Sequence, residues 1–427
     1  MSNNAVVASD GGEIARAQFA QATAAGVAPL TAMNPILVKP LDDRCSQVIV
    51  LGRVHGDELP ERALEIACTA FRDLLGTHDV VIAEGAGGAA EINLLARDIA
   101  NLPLARELGL PALLVANVER GGMLAAVVGT VALLPDDLRA CLRGVVVNRF
   151  RGDIRLLQSG LDLLEAHTGL PVLGVLPELQ DVSLDTEDSL DLDAIRRTAG
   201  SGALDVAVVR FPHASNWSDV EPFAHDPATS VRFVGSTTAL ARPDLVVLPG
   251  SRRVIADLHW LRACGLADAI ETLARGDTVV LGICGGYQML GMRITDSGVE
   301  ETADVAAMGL LDVETVYDAT KLTRWRDARA FDVPVRGFDM RHGRVTVRRG
   351  ECWVTGDESV RRGNVFGTNL HGLFEHDDLR RALLEHVATL RGGHVDAPEI
   401  CMTELRTAAH DRIADAVDEH LVSTLWT

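Results

Sequence analysis

Cys284 stands in Thr278-Val-Val-Leu-Gly-Ile-Cys-Gly-Gly-Tyr-Gln-Met-Leu290, between a β-branched apolar run and an apolar helical stretch. Glycines at positions 282, 285 and 286 allow a sharp strand-to-helix turn, which exposes the side chain at its apex. At a helix N-terminus the free N–H groups and the macrodipole favour thiolate over thiol. Such a sulfur can take an acyl group, and the N–H of Gly285 is expected to face the oxyanion of the tetrahedral intermediate. A second donor is expected at Gly250, in the glycine turn Leu248-Pro-Gly-Ser251. A thiolate needs a base, and His371 in Gly367-Thr-Asn-Leu-His-Gly-Leu373 is the candidate, because nucleophile and base meet in space rather than in sequence.

These residues require a particular frame. Short β-branched runs alternate with longer amphipathic stretches, the pattern of βαβ units in a mainly parallel sheet. In the first half, strands are expected at Asp79–Ala83, Ala112–Ala116, Gly144–Val147 and Val172–Val175, with helices at Ala89–Leu108 and Ile154–Thr168. A second series runs through Val206–Phe211, Val231–Val234, Leu245–Leu248, Val279–Ile283 and Asn364–Thr368. The acidic stretch between Pro177 and Ala203 reads as an interdomain connection with a short helix near Leu192–Thr198. The spacing of Ile413, Ala414, Ala416, Val417 and Leu421 predicts a packed terminal helix over Arg406–Leu421. The expected domains are 1–196 and 203–395, with a helical tail over 396–427. Ligands of such sheets sit at the carboxyl ends of strands, which singles out Glu84 to Gly87, Asn117 and Asn148.

Composition narrows the function. The 427 residues are 47% apolar and 23% charged, as in an ordinary soluble globular protein of more than one domain. A formal charge of −20 makes nucleic acid and anionic membranes poor partners. The apolar runs stop well short of the roughly 20 residues of a membrane span, and no basic-then-apolar leader opens the chain, so a cytoplasmic protein is expected. Seven scattered cysteines, never spaced Cys-x-x-Cys, argue against a disulfide framework or zinc site. Only two of the basic residues are lysines, Lys39 and Lys321.

The segment around Cys284 and His371 resembles the class I glutamine amidotransferase domain, in which cysteine attacks the glutamine amide and releases ammonia. Common members carry a glutamate two residues after the histidine; here that position is Leu373, and Glu375 nearby receives no role. The lack matches a Cys–His dyad branch. Further blocks extend the resemblance along nearly the whole chain: Ser9-Asp-Gly-Gly-Glu-Ile-Ala-Arg-Ala-Gln18, Met33-Asn-Pro-Ile-Leu-Val-Lys-Pro40, Glu84-Gly-Ala-Gly87, Phe211-Pro-His-Ala-Ser-Asn216 and Ile255-Ala-Asp-Leu-His-Trp-Leu261. Together they resemble the cobyric acid synthase family.

The resemblance implies an α/β fold of two parallel-sheet, three-layer domains: a truncated P-loop NTPase domain, similar to dethiobiotin synthetase, and the amidotransferase domain. It implies glutamine and cobyrinic acid a,c-diamide as substrates, with amidation at the b, d, e and g side chains. ATP and Mg²⁺ are the expected helpers, with no tightly bound organic cofactor. Asp10 and Glu84 are then the candidate metal ligands, and Asn148 the candidate adenine contact. Arg120 and Arg149 are candidates for binding the substrate carboxylates.

The pattern also has gaps. Gly-x-x-x-x-Gly-Lys-Ser/Thr occurs nowhere in the sequence, and neither lysine fits the phosphate role. The resemblance places that loop ahead of Met1-Ser-Asn-Asn4, in a strand–loop–helix portion on the order of thirty residues. A truncated or mis-started chain is therefore expected, with poor ATP binding. The family's Asp-Ile-Asp-Arg-Gly-Gly reads Asn117-Val-Glu-Arg-Gly-Gly122 here, and its Gly-Tyr-Glu-Ile-His reads Gly337-Phe-Asp-Met-Arg341. Two other readings stand beside the first: an amidoligase acting on another polycarboxylate, such as cobyrinic acid or a cell-wall precursor, and a non-catalytic corrinoid- or protein-binding paralogue. The sequence does not give the oligomeric state.

Overall fold

A computed structural model describes residues 2–40, 46–119, 121–180, 182 and 204–422. The expected helix near Leu192–Thr198 lies outside them, as does Arg120. The chain forms two compact units, one from residues 1–58 and 185–405, the other from residues 59–184 and 406–427.

The larger unit is built on a seven-stranded sheet. Its strands lie in the order Thr229–Val234, Leu204–Val209, Leu245–Leu248, Val279–Ile283, Val365–Thr368, Val360–Arg362 and Glu351–Cys352. The first five are parallel and the last two antiparallel. Val206, Val246, Val280 and Leu281 are all fully buried, as β-branched runs covered on both faces should be. All five strands of the second expected series are present, within one to two residues of their expected ends.

One element has no counterpart in the sequence reading. Asp312–Ala330 and Val333–Arg349 form a long antiparallel hairpin, extended to a four-stranded sheet by Arg293–Ser297 and, beyond it, Thr302–Ala306. The hairpin explains why the compact units depart from the expected boundaries. Ala5, Val6, Val7, Ala15, Leu37 and Ile49 share an apolar cluster with its Phe338 and Met340. The indole N–H of Trp325 donates to the Val7 carbonyl at 2.9 Å. Residues 1–58 therefore group with the sheet that carries Cys284, not with the strands that follow them.

The smaller unit holds a three-stranded parallel sheet, Ala112–Asn117, Leu142–Phe150 and Val172–Pro177, with the Ile154–Thr168 helix as expected. Two expectations fail here. Asp79–Ala83 is not a strand, and Val80 and Ile82 stand 70% and 76% exposed. A central strand needs a neighbouring ladder, and no described strand pairs with this run. The expected helix Ala89–Leu108 shrinks to Leu102–Leu108. Pro103 sits at the helix start, and the Asp98 carboxylate takes the N–H groups of Ala100 and Asn101, so the preceding residues form turns instead. The terminal helix runs Met402–His420, and the chain after it pairs Leu421 with Gly174 at the edge of this sheet.

Candidate active site

Three adjacent strands of the larger sheet end at the same place. Cys284 follows Val279–Ile283, Gly250 follows Leu245–Leu248 on one side, and His371 lies just past Val365–Thr368 on the other. Cys284 has φ +50° and ψ −107°, a backbone that L-residues seldom adopt, so the elbow is a strained one. It is anchored on both sides: its N–H donates to the Thr368 carbonyl at 2.8 Å, and its own carbonyl accepts from the Gln288 N–H at 3.0 Å.

The glycines are needed for approach. A Cβ on Gly286 would lie 2.0 Å from the Leu248 carbonyl oxygen, and one on Gly285 would lie 2.7 Å from the Ser251 nitrogen. A Cβ on Gly250 would sit 3.3 Å from Cε1 of His371. The turn at Gly250 is thereby pressed against both the elbow and the imidazole. Gly286 donates to the Pro249 carbonyl at 3.1 Å, whereas no described group accepts from the Gly285 N–H. The His213 ring and the Ser251 hydroxyl both bond Asp257, at 2.8 and 2.5 Å, which fixes the far side of the Gly250 turn.

His371 is 2% exposed, and its ring feels the charge of the Cys284 sulfur. Its other ring nitrogen, Nδ1, lies 2.6 Å from Oδ2 of Asp219, and the second carboxylate oxygen accepts from the Gly372 N–H at 2.8 Å. Asp219 is likewise 2% exposed. Burial works against a charged imidazole here, but the Asp219 carboxylate and the Cys284 sulfur outweigh it and lift the His371 pKa to about 10. The long hairpin supports His371 from behind. Phe338 and His371 exchange backbone hydrogen bonds at 2.9 and 3.0 Å, and their rings stack with centroids 5.3 Å apart.

The sequence reading gathered four residues that the structure brings together, Cys284, His371, Gly250 and Gly285. It missed Asp219, whose carboxylate lies 2.6 Å from Nδ1 of His371. Asp219 sits in a short 3-10 turn, Trp217–Asp219, entered through Asn216 in the left-handed region at φ +55°. The block Phe211 to Asn216 was the available signal, and it stops three residues short.

The hairpin departure also has a physical reason. Asp339 is fully buried and accepts from Arg341, Arg324 and Arg326 at 2.9, 3.1 and 2.9 Å. Arg341 in turn bonds Glu358 at 2.9 Å. The shorter carboxylate and the arginine form one closed network, and the arginines hold Asp339 below its ordinary pKa although burial opposes this.

The remaining candidates are placed as follows. In the larger unit, Asp10 is exposed and its carboxylate takes the N–H and hydroxyl of Thr31, the latter at 2.7 Å. In the smaller unit, Glu84 is exposed on the irregular stretch, and the Asn148 side chain accepts from the Arg149 N–H at 2.8 Å. Arg149 pairs with Glu119 and Glu178, at 3.0 and 3.5 Å. Among the described residues no group of three or more His, Cys, Asp or Glu side chains is arranged to hold a metal. Carboxylate oxygens are the right donors for Mg²⁺, and Asp10 and Glu84 stand in different units of the chain. Among the described residues no helix is long and apolar enough to cross a membrane.

Residues 205–379 match the model of the CobB/CobQ-like glutamine amidotransferase domain, and residues 48–186 match an AAA domain. Curated relatives align over nearly all of this chain. The cobyric acid synthase of Saccharopolyspora erythraea is 46% identical over 99% of this chain and 85% of its own length. That of Rhodococcus jostii is 44% identical over 99% of this chain and 86% of its own. The chain belongs to the cobyric acid synthase family. Members are glutamine-dependent amidating ligases of cobalamin biosynthesis, and the AAA domain agrees with the use of ATP. A solved glutamine amidotransferase aligns at 18% identity and TM-score 0.35, covering 44% of this chain and 98% of that one.

Proposed function

We propose that the chain makes ammonia from glutamine at Cys284 and delivers it to carboxylates of cobyrinic acid a,c-diamide, at the b, d, e and g side chains. The observation that carries the glutaminase half is the buried Asp219–His371 pair, held beside the Cys284 elbow by adjacent strand ends and the Gly250 turn. An imidazolium beside the sulfur balances a thiolate, and Asp219 keeps the ring both charged and oriented.

The thiolate adds to the glutamine amide carbon, and the N–H groups of Gly285 and Gly250 receive the developing oxyanion. His371 gives its proton to the departing nitrogen, so ammonia leaves and a γ-glutamyl thioester remains. The now neutral His371 takes a proton from water as the oxygen adds to the thioester, and collapse releases glutamate and restores the ion pair. ATP supplies the phosphoryl group that turns an acceptor carboxylate into a substrate for ammonia. Asn148 is proposed to contact the nucleotide.

The test is direct. Purified protein is assayed for glutamate release from glutamine, with and without corrinoid acceptor. Hydrolysis that disappears in Cys284→Ser supports the reading. Absence of hydrolysis in wild-type protein, acceptor present, would overturn it.

A further inference from the structure

The only two lysines of the chain meet on a single carboxylate. Lys39 Nζ and Lys321 Nζ lie 2.5 Å from Oε1 and Oε2 of Glu13, respectively. The three side chains come from separate places: Glu13 from the strand Glu13–Ala15, Lys39 from Ile36–Pro40, and Lys321 from the long hairpin. The hairpin register breaks between Tyr317 and Leu322, just where Lys321 turns to Glu13. Irregularities of this kind re-aim a side chain.

The cluster is short of negative charge. Two ammonium groups face one carboxylate, in a place where Glu13 is 1% and Lys39 6% exposed. Arg252 also acts on Lys39 as a positive charge, though it has a partner of its own. The nearby Asp318 carboxylate lies 3.9 Å from the Arg344 guanidinium, so it is already answered. Burial, Lys321 and Arg252 together outweigh Glu13 and bring the Lys39 pKa down to about 8. Each ammonium has three N–H donors and gives one to Glu13; no other described acceptor meets either nitrogen. Buried donors and surplus charge left this way are costly unless a ligand answers them. Lys321, with its side chain 12% exposed, is the more open of the two.

We propose that Glu13, Lys39 and Lys321 form a binding site for an anionic oxygen group, a carboxylate or a phosphate, that docks against the two ammonium groups. Glu13 holds the two ammonium groups on one carboxylate, and the ligand supplies the missing negative charge. The site does not depend on the Cys284 chemistry.

With two lysines in the chain, selective ¹⁵N-lysine labelling gives two side-chain signals, read by NMR. Inorganic phosphate and succinate, titrated separately into the full-length protein at constant ionic strength, should move both signals saturably at about 1–10 mM. The tighter of the two identifies the ligand as phosphate or carboxylate. Lys321→Gln should weaken the response of Lys39 at least about tenfold, since a charge-assisted hydrogen bond is lost, while Lys321→Arg retains it. Cys284→Ser should respond like wild type, which separates this site from the glutaminase reading. Signals unmoved by both anions, moved equally by chloride, or unaffected by Lys321→Gln in a folded protein would overturn the proposal.

Discussion

Oδ2 of Asp219 lies 2.6 Å from Nδ1 of His371, a residue 152 positions further along the chain. Both groups are buried, so the carboxylate acts on the ring without competition from water. Replacing Asp219 by Asn should leave glutamine KM nearly unchanged and lower kcat by ~10²–10⁴-fold, because the ring loses its orienting charge. A merely structural Asp219 would not alter the pH profile. A catalytic pair should move the alkaline limit of activity downward, from near the His371 value of about 10.

The same pair sets a stability prediction. The folded pKa of His371, about 10, is above its ordinary 6.5, so protonation stabilises the fold. That contribution is complete below about pH 6.5 and disappears as pH rises through about 10. Thermal unfolding of wild type and Asp219→Asn should therefore differ most below neutrality and converge at high pH. A gap that stays constant from pH 6 to beyond 10 would count against the charged pair.

Glu13 has the opposite sign. Burial raises its pKa, but Lys321 and Lys39 win and hold it at about 2, below the ordinary 4.5. Its stabilisation is present above pH 4.5 and fades as pH falls towards 2. Glu13→Gln leaves two buried ammonium groups without their partner and should cost about 3–5 kcal/mol, measured by denaturant unfolding. A loss below about 1 kcal/mol would show that the lysines find other partners or reach water.

Gly286 allows no substitution in the present backbone. A Cβ there would meet the Leu248 carbonyl oxygen at 2.0 Å, a backbone atom that cannot rotate away. Gly286→Ala should destabilise the protein by roughly 3 kcal/mol or more and displace Cys284, losing stability and hydrolysis together. An unchanged melting temperature would show that the elbow is looser than these distances imply.

Where the sequence was legible, the reason was local. Gly-Ile-Cys-Gly-Gly specifies a strained turn within five residues, and the β-branched runs before it and before His371 specify fully buried parallel strands. Asp219 was not legible, because its role depends on a left-handed Asn216 and a turn that swings it beneath His371. The hairpin was missed because its strands, alternating buried and exposed and rich in arginine, carry little of the apolar signal that marks a core. Asp79–Ala83 fails for the converse reason. Its apolar pattern suits a strand, but a strand exists only through a partner, and none of the described strands pairs with it.

The account is tested most directly at one sulfur atom. Protein treated with a glutamine-like diazo ketone, then digested and mapped by mass spectrometry, should carry a single adduct, on the peptide containing Cys284. Excess glutamine should protect against it. Modification of another cysteine instead, or no adduct on protein shown to be folded, would contradict the assignment of Cys284 as the nucleophile.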